Sequence, residues 1–131
     1  MDLNLDILRM AQASASHAAQ RQTLVANNIA NADTPGFQAR DTASFSSVFS
    51  QSKGNIAPRN TRPGHLLAAA SPGGISMAKI VADKSGETSP NGNTVSLEHE
   101  MAKAVELRHD YDMALTIYRK SLDILKASLG R

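Results

Sequence analysis

Residues 97–129 read LEHEMAKAVELRHDYDMALTIYRKSLDILKASL. Within them Leu97, Met101, Ala104, Arg108, Tyr111, Leu115, Tyr118, Leu122, Leu125 and Leu129 follow one another at alternating steps of four and three, and only Arg108 is not apolar. That spacing is the seam of one long amphipathic helix with a period near 3.5. No Pro or Gly interrupts it before Gly130, so the helix is roughly 50 Å long at 1.5 Å per residue. A stripe this narrow cannot be buried by its own helix and needs a partner helix, from this chain or another copy. Ser96 is a suitable N-cap, and Glu98 and Glu100 suit the first turn and the helix dipole. Glu98, Glu100, Glu106, Asp110 and Asp112 fill the first half and Arg119, Lys120, Lys126 and Arg131 the end. That order is expected of a solvated, dipole-matched face, or of polar contacts between stacked subunits.

A second candidate helix stands at the other end of the chain. Residues 3 to about 31 predict a second long helix, with Leu8, Ala11, Ala15, Ala18, Gln22, Val25 and Ile29 at the same spacing. Its stripe is mostly Ala, so a partner can approach closely, but each residue buries little, at roughly 0.8 kcal/mol per methylene. Such a helix is marginal alone and depends on assembly. Asn27, Asn28 and Asn31 weaken it, because their side chains compete for backbone hydrogen bonds. Asn31 is expected to end it in the left-handed region. Pro35-Gly36 fits the central pair of a type II turn, after which Phe37 anchors the chain.

Between the helices the chain changes character. Residues 41–50 place Phe45 and Phe49 on one face of a short helix. Residues 51–94 hold four of the five prolines and six of the eight glycines, too many for a long element. Gly64 to Ala70 and Ile75 to Ala82 read as short extended runs, with turns at Ser71-Pro72-Gly73-Gly74 and Pro90-Asn91-Gly92-Asn93. The expected fold is mainly α, with two long terminal helices around an irregular, loop-rich or short β-like insertion. Residues 1–36 and 96–131 form one helical domain, and residues 37–95 form the insertion.

Composition narrows the function. Apolar residues make up 41% of the 131 residues but aromatics only 4%, which suits thin helix-on-helix packing better than a bulky globular core. The chain has no cysteine, so it has neither disulfides nor thiolate chemistry. The formal charge of +2, without a basic stripe, argues against nucleic acid as a partner. The acids of Met1-Asp2-Leu3-Asn4-Leu5-Asp6 are unlike a secretory leader, and no window has the apolar length of a membrane span. His17, His65, His99 and His109 lack metal-ligand spacing, and Lys103 stands where a zinc-protease signature opened by His99-Glu100 needs its second histidine. Catalytic, cofactor and metal residues are therefore expected to be none, with no small-molecule substrate.

The turn sharpens this reading. Leu24-Val25-Ala26-Asn27-Asn28-Ile29-Ala30-Asn31-Ala32-Asp33-Thr34-Pro35-Gly36-Phe37 resembles the N-terminal signature of the bacterial flagellar rod and hook proteins. The run from Asn91 to Met101 resembles the approach to the last helix in the FlgB type of proximal rod protein, with the FlgC type as its rival. Gly36 leaves the type open, because Asn is frequent there in the FlgB type. The resemblance covers roughly residues 3–45 and 90–129.

It implies that the N- and C-terminal helices pair as an elongated coiled coil, in a structural subunit of the proximal rod, a tube that crosses the periplasm, transmits torque and encloses the export channel. The implied partners are copies of itself, other rod proteins, the membrane ring, a rod-base adaptor protein and the flagellar type III export gate. Export without a cleaved signal peptide is also implied. Residues 27, 28, 31 and 34–37 are the signature turn. Phe45-Ser-Ser-Val-Phe49 fits the family's short export signal. The expected assembly seam is Val25, Ile29, Met101, Tyr111, Leu115, Tyr118, Leu122, Leu125 and Leu129. A soluble coiled-coil adaptor or export chaperone is the alternative, distinguished as a stable, defined oligomer in dilute solution.

Overall fold

The computed structural model describes residues 2–54, 78–83 and 85–130. The elements in order are α1 (Asp2–Ala30), β1 (Arg40–Thr42), α2 (Phe45–Gly54), β2 (Ile80–Ala82) and α3 (Leu97–Ser128). The fold is mainly helical, and the two long helices pair along their length. They run antiparallel: Asn28 near the end of α1 meets Glu100 near the start of α3, and Arg21, earlier in α1, feels the charges of Glu106 and Asp110, later in α3.

Ser96 caps α3 as predicted, accepting from the His99 N–H, and Gly130 follows the helix at φ 73°. The pairing surface on α3 is rotated from the predicted stripe. Its buried residues are Glu100, Lys103, Leu107, Ala114 and Ser121. They too follow a heptad spacing, with steps of three, four, seven and seven, but only two are apolar. Glu100, expected on the solvated first turn, is 2% exposed. On α1, Ala11, Ala18 and Val25 of the predicted stripe are buried. Six of the nine buried apolar residues in the described chain are alanines, so the helices approach closely and dispersion supplies little.

The strands were only partly legible. β1 and β2 form an antiparallel pair with Arg40 opposite Ala82, Asp41 opposite Val81 and Thr42 opposite Ile80. Residues 40–42, of which 41 and 42 were assigned to a short helix, are thus extended, and α2 starts later, at Phe45. Two flanking bonds, Ala43 N–H to Lys79 O and Asp83 N–H to Ala39 O, fix which main-chain groups face inward. Those of Arg40 then face α1, where Asn28 takes both: its Oδ1 accepts from the Arg40 N–H (3.0 Å) and its Nδ2 donates to the Arg40 O (2.8 Å). Gln20 grips Ala78 in the same two-pronged way, at 3.1 Å for each bond. Two amide side chains of α1 therefore replace a strand neighbour and dock the sheet on the helix. Of the expected extended run from Ile75 to Ala82, residues 80–82 are strand, while residues 75–77, like Gly64 to Ala70 and the Ser71–Gly74 turn, lie outside the described residues.

Candidate interaction site: the signature turn and a buried charge clamp

The turn after α1 is built as its residues predict, with one exception. The Phe37 N–H donates to the Thr34 O (3.3 Å) across Pro35-Gly36, and Gly36 has φ 72°, as a type II turn requires. The exception is Asn31. Among the described residues no non-glycine has positive φ, so Asn31 is not a left-handed cap. Its side-chain Nδ2 instead donates back to the Asn27 O (2.8 Å), and its N–H is shared between the Asn27 and Asn28 carbonyls.

The carbonyls that a helix end leaves without partners are met by a residue from the other half of the chain. Asn93, 1% exposed, donates through Nδ2 to the Asn31 O (3.0 Å), Ala32 O (2.8 Å) and Thr34 O (2.8 Å). Its Oδ1 accepts from the Val95 N–H at 2.7 Å, which fixes the orientation of the amide. Around it the Gly36 N–H donates to the Asn91 O, the Thr94 N–H to the Phe37 O and the Ala39 N–H to the Thr94 Oγ1. Gly92, at φ 80°, lies against Gly36, where an added Cβ would be 3.5 Å from the Gly36 Cα. The Ser89–Gly92 turn, closed from the Gly92 N–H to the Ser89 O, thus stacks on the signature turn. Asp33, Thr34, Pro35 and Gly36 are left exposed.

A few residues away, charges converge between the helices and the sheet. The Lys103 ammonium contacts Asp83, the Glu100 Oε1 (3.0 Å) and the Asp41 Oδ2 (3.6 Å). Arg21 pairs with Asp41 through two bonds of 2.6 and 2.8 Å, and Asn28 donates to Glu100 at 3.0 Å. This clamp joins α1, α3 and the segments carrying both strands. Burial alone pushes the Asp83 carboxyl up, but hydrogen bonds from Lys103 and Ser85 and the lysine charge outweigh it and hold it at about 2. Asp41 is lowered in the same way: burial opposes, and Arg21, the Thr42 N–H and Lys103 prevail. Burial pulls Lys103 down, yet Asp83 and Glu100 raise it above the ordinary lysine value. Arg21 is raised by its hydrogen bond to Asp41. In the sequence Lys103 stands out only as a misfit in a zinc motif and Asn93 only as a turn residue, and nothing local marks Arg21, Asp41 or Asp83.

The other sequence-predicted residues divide as follows. Asn28 is buried in the clamp and Asn27 is exposed. Phe45 and Phe49 stack at 5.5 Å, with Phe45 also 5.7 Å from the His17 ring. His17 Nε2 donates to the Ala43 O at 2.9 Å, tying the start of α2 to α1. Of the seam residues, Val25 is buried, and Ile29, Tyr111, Leu115, Leu122 and Leu125 are half-buried. Tyr118 is exposed, as are Met101 (57%) and Leu129 (72%). Leu97, Val105, Met113, Ile117 and Ile124 of α3 are also exposed, so among the described residues this helix carries most of the exposed large apolar side chains.

An open hollow of about 530 Å³ runs between Gly36–Arg40 and Ile80–Ala82. Among the described residues, no group of three or more acidic, His or Cys side chains could hold a metal, and no helix is long and apolar enough to cross a membrane.

A sequence profile described as "Flagella basal body rod protein" matches residues 8–38, which span most of α1 and the turn. Over more than four fifths of the chain the similarity extends to curated flagellar basal body rod proteins. The FlgB protein of Salmonella typhimurium is 34% identical over 122 residues, 88% of this chain and 86% of the relative. That of Escherichia coli is 33% identical over 116 residues, 83% and 82% of the two chains, and that of Agrobacterium fabrum is 29% identical over 115 residues, 88% and 86%.

Proposed function

Because the chain belongs to the flagellar basal body rod proteins and is of their FlgB type, we propose that it is a subunit of the proximal rod, assembling into the tube that transmits torque and encloses the export channel. A structural role in the flagellar rod, assembly with other rod components and a place in the basal body follow from the family. The finer reading places the subunit in the periplasmic part of the rod. There it meets copies of itself, the membrane ring and a rod-base adaptor protein, after passing the type III export gate without signal cleavage. Phe45 and Phe49 are the side chains we assign to the export signal.

One observation carries this reading: the paired helices leave a row of large apolar side chains bare on α3, Met101 and Leu129 among them. A chain that works alone gains nothing from such a surface, whereas a tube subunit covers it with its neighbours. A solvated Met101→Asp or Leu129→Asp carboxylate costs the single chain little. In a closed interface an unpaired buried charge costs several kcal/mol. Both variants are expected to be exported at the wild-type level and to be missing from purified basal bodies, leaving cells non-motile. Glu106→Ala, off the seam, is the control. Normal rods built from the Met101→Asp protein would show that this face is not the assembly surface and would favour a soluble adaptor.

A further inference from the structure

Residues 91 and 92 form the one Asn-Gly pair in the chain. An asparagine side chain turns on its own backbone most readily when glycine follows it, because no Cβ shields the next amide nitrogen. Both residues are exposed, so water reaches them. The peptide that joins them is nevertheless held at both ends. Its N–H, on Gly92, donates to the Ser89 O at 2.8 Å, and its carbonyl, on Asn91, accepts from the Gly36 N–H at 3.0 Å. The Asn91 Oδ1 accepts from the Asn93 N–H, also at 3.0 Å. To close a five-membered ring, the Gly92 nitrogen must lose its proton and rotate about the Asn91 Cα–C bond toward Cγ. That rotation breaks the first two bonds together, and freeing the side chain breaks the third.

We propose that Asn91-Gly92 is a spontaneous deamidation site, kept shut in the folded chain by the signature turn stacked on it. When residues 91–94 leave that turn, the Gly92 nitrogen attacks the Asn91 Cγ. A C–N bond forms, the Cγ–Nδ2 bond breaks, and the side-chain nitrogen leaves as ammonia. Water then opens the succinimide at either carbonyl, giving aspartate or isoaspartate. Isoaspartate carries the main chain through the former side chain, one methylene longer. It displaces the segment from which Asn93 serves the Asn31, Ala32 and Thr34 carbonyls. A chain that stays unfolded is thereby converted into one that no longer joins its two halves correctly, while a folded chain is spared.

The full-length chain is incubated at neutral pH in buffer and in guanidinium chloride, and mass spectrometry locates the deamidated residues. We expect Asn91 to react more than about tenfold faster in denaturant than in buffer, and in denaturant to outpace every other asparagine. Equal rates in the two media would overturn the gate. A rate at Asn91 no higher than at Asn93 in denaturant would overturn the site. Asn93→Asp removes the two amide donors that dock this segment. In buffer it should speed the reaction at Asn91 more than about threefold, with no difference from the wild type in denaturant. An unchanged rate in buffer would show that this docking is not the gate; if the variant does not fold, the wild-type comparison still decides.

The two products are then separated. Asn91→Asp, equivalent to the aspartate product, keeps the backbone and the acceptor and is expected to melt as the wild type. The isoaspartyl fraction should melt lower, with faster amide exchange at Thr34 and Gly36. Wild-type melting of that fraction would overturn the lasting effect on the fold.

Discussion

Replacing Lys103 by Met tests whether the charge clamp, rather than apolar burial, holds the two halves together. Methionine keeps most of the stem's length and packing, so the change isolates the ammonium. In the wild type Asp83 titrates at about 2 in the fold against 3.8 in the open chain. At 1.36 kcal/mol per unit, that difference is worth about 2 kcal/mol of stability. Because the folded value is depressed, this share is complete above about pH 4 and is lost as pH falls through about 2. Asp41, also depressed, acts in the same direction. Lys103 is raised, so its share is complete below the unfolded lysine value of 10.5 and is lost as pH rises through the higher folded one.

Without the ammonium, Glu100 keeps Asn28 but loses its counter-charge, and Asp83 keeps only Ser85. Breaking a largely buried pair costs about 3 kcal/mol, a large part of the stability of a domain this size. The chain has no Trp, so urea unfolding is followed by far-ultraviolet circular dichroism, in trimethylamine N-oxide to keep the variant folded. The expected gap is about 3 kcal/mol at pH 7, shrinking below about pH 4 as the carboxyls that need the lysine become neutral. A gap under about 1 kcal/mol at pH 7, or an unchanged gap at about pH 3, would refute the argument, because the cluster would then behave as a solvated surface pair.

The remaining expectations need less argument. The double change Phe45→Ala with Phe49→Ala should reduce secreted subunit without changing synthesis; secretion at the wild-type level would leave the stacked rings as packing only. Gly86→Ala should destabilise more than Gly36→Ala. A Cβ at Gly86 would stand 2.4 Å from the Thr94 carbonyl oxygen, whereas Gly36 has open space and only its φ of 72° to protect. We expect about 2 kcal/mol or more at Gly86 and about 1 kcal/mol at Gly36 by urea unfolding, and the reverse order would sink the reasoning. The isolated chain at low concentration should show fast amide exchange near the start of α1, where alanines carry the packing, and should gain helix on assembly. Slow exchange throughout residues 3–30 in a dilute monomer would count against dependence on neighbours.

Periodicity, capping and turn chemistry are local, and the sequence made them legible. The stops that bound α3, Ser96 and Gly130, work over a few residues, as does the type II turn at Pro35-Gly36. The rotated helix interface is not legible, because heptad periodicity is read from apolar side chains and this interface is largely polar. The chain puts Glu100, Lys103 and Ser121 on that line and leaves Met101, Val105 and Leu129 outside it. Glu100 and Lys103 are tolerated there because Asn28, Asp83 and Asp41, from three other segments, pair with them, and Arg21 in turn holds Asp41. Partners so far apart in sequence leave no periodic trace.

The same reason hid Asn93, which reads as one more turn residue until the α1 carbonyls it serves are placed beside it. The division has a physical consequence. A chain that, among its described residues, leaves many of its larger apolar side chains on the surface, and whose interior is fixed largely by polar groups that water also satisfies, gains most when a neighbour arrives. Replacing the interior charges with Leu and Ile would make the single chain more stable, yet it would remove the geometric demand that pins α1 against α3 in one register. On this reading the polar interior sets the register and the bare seam of α3 supplies the energy of assembly.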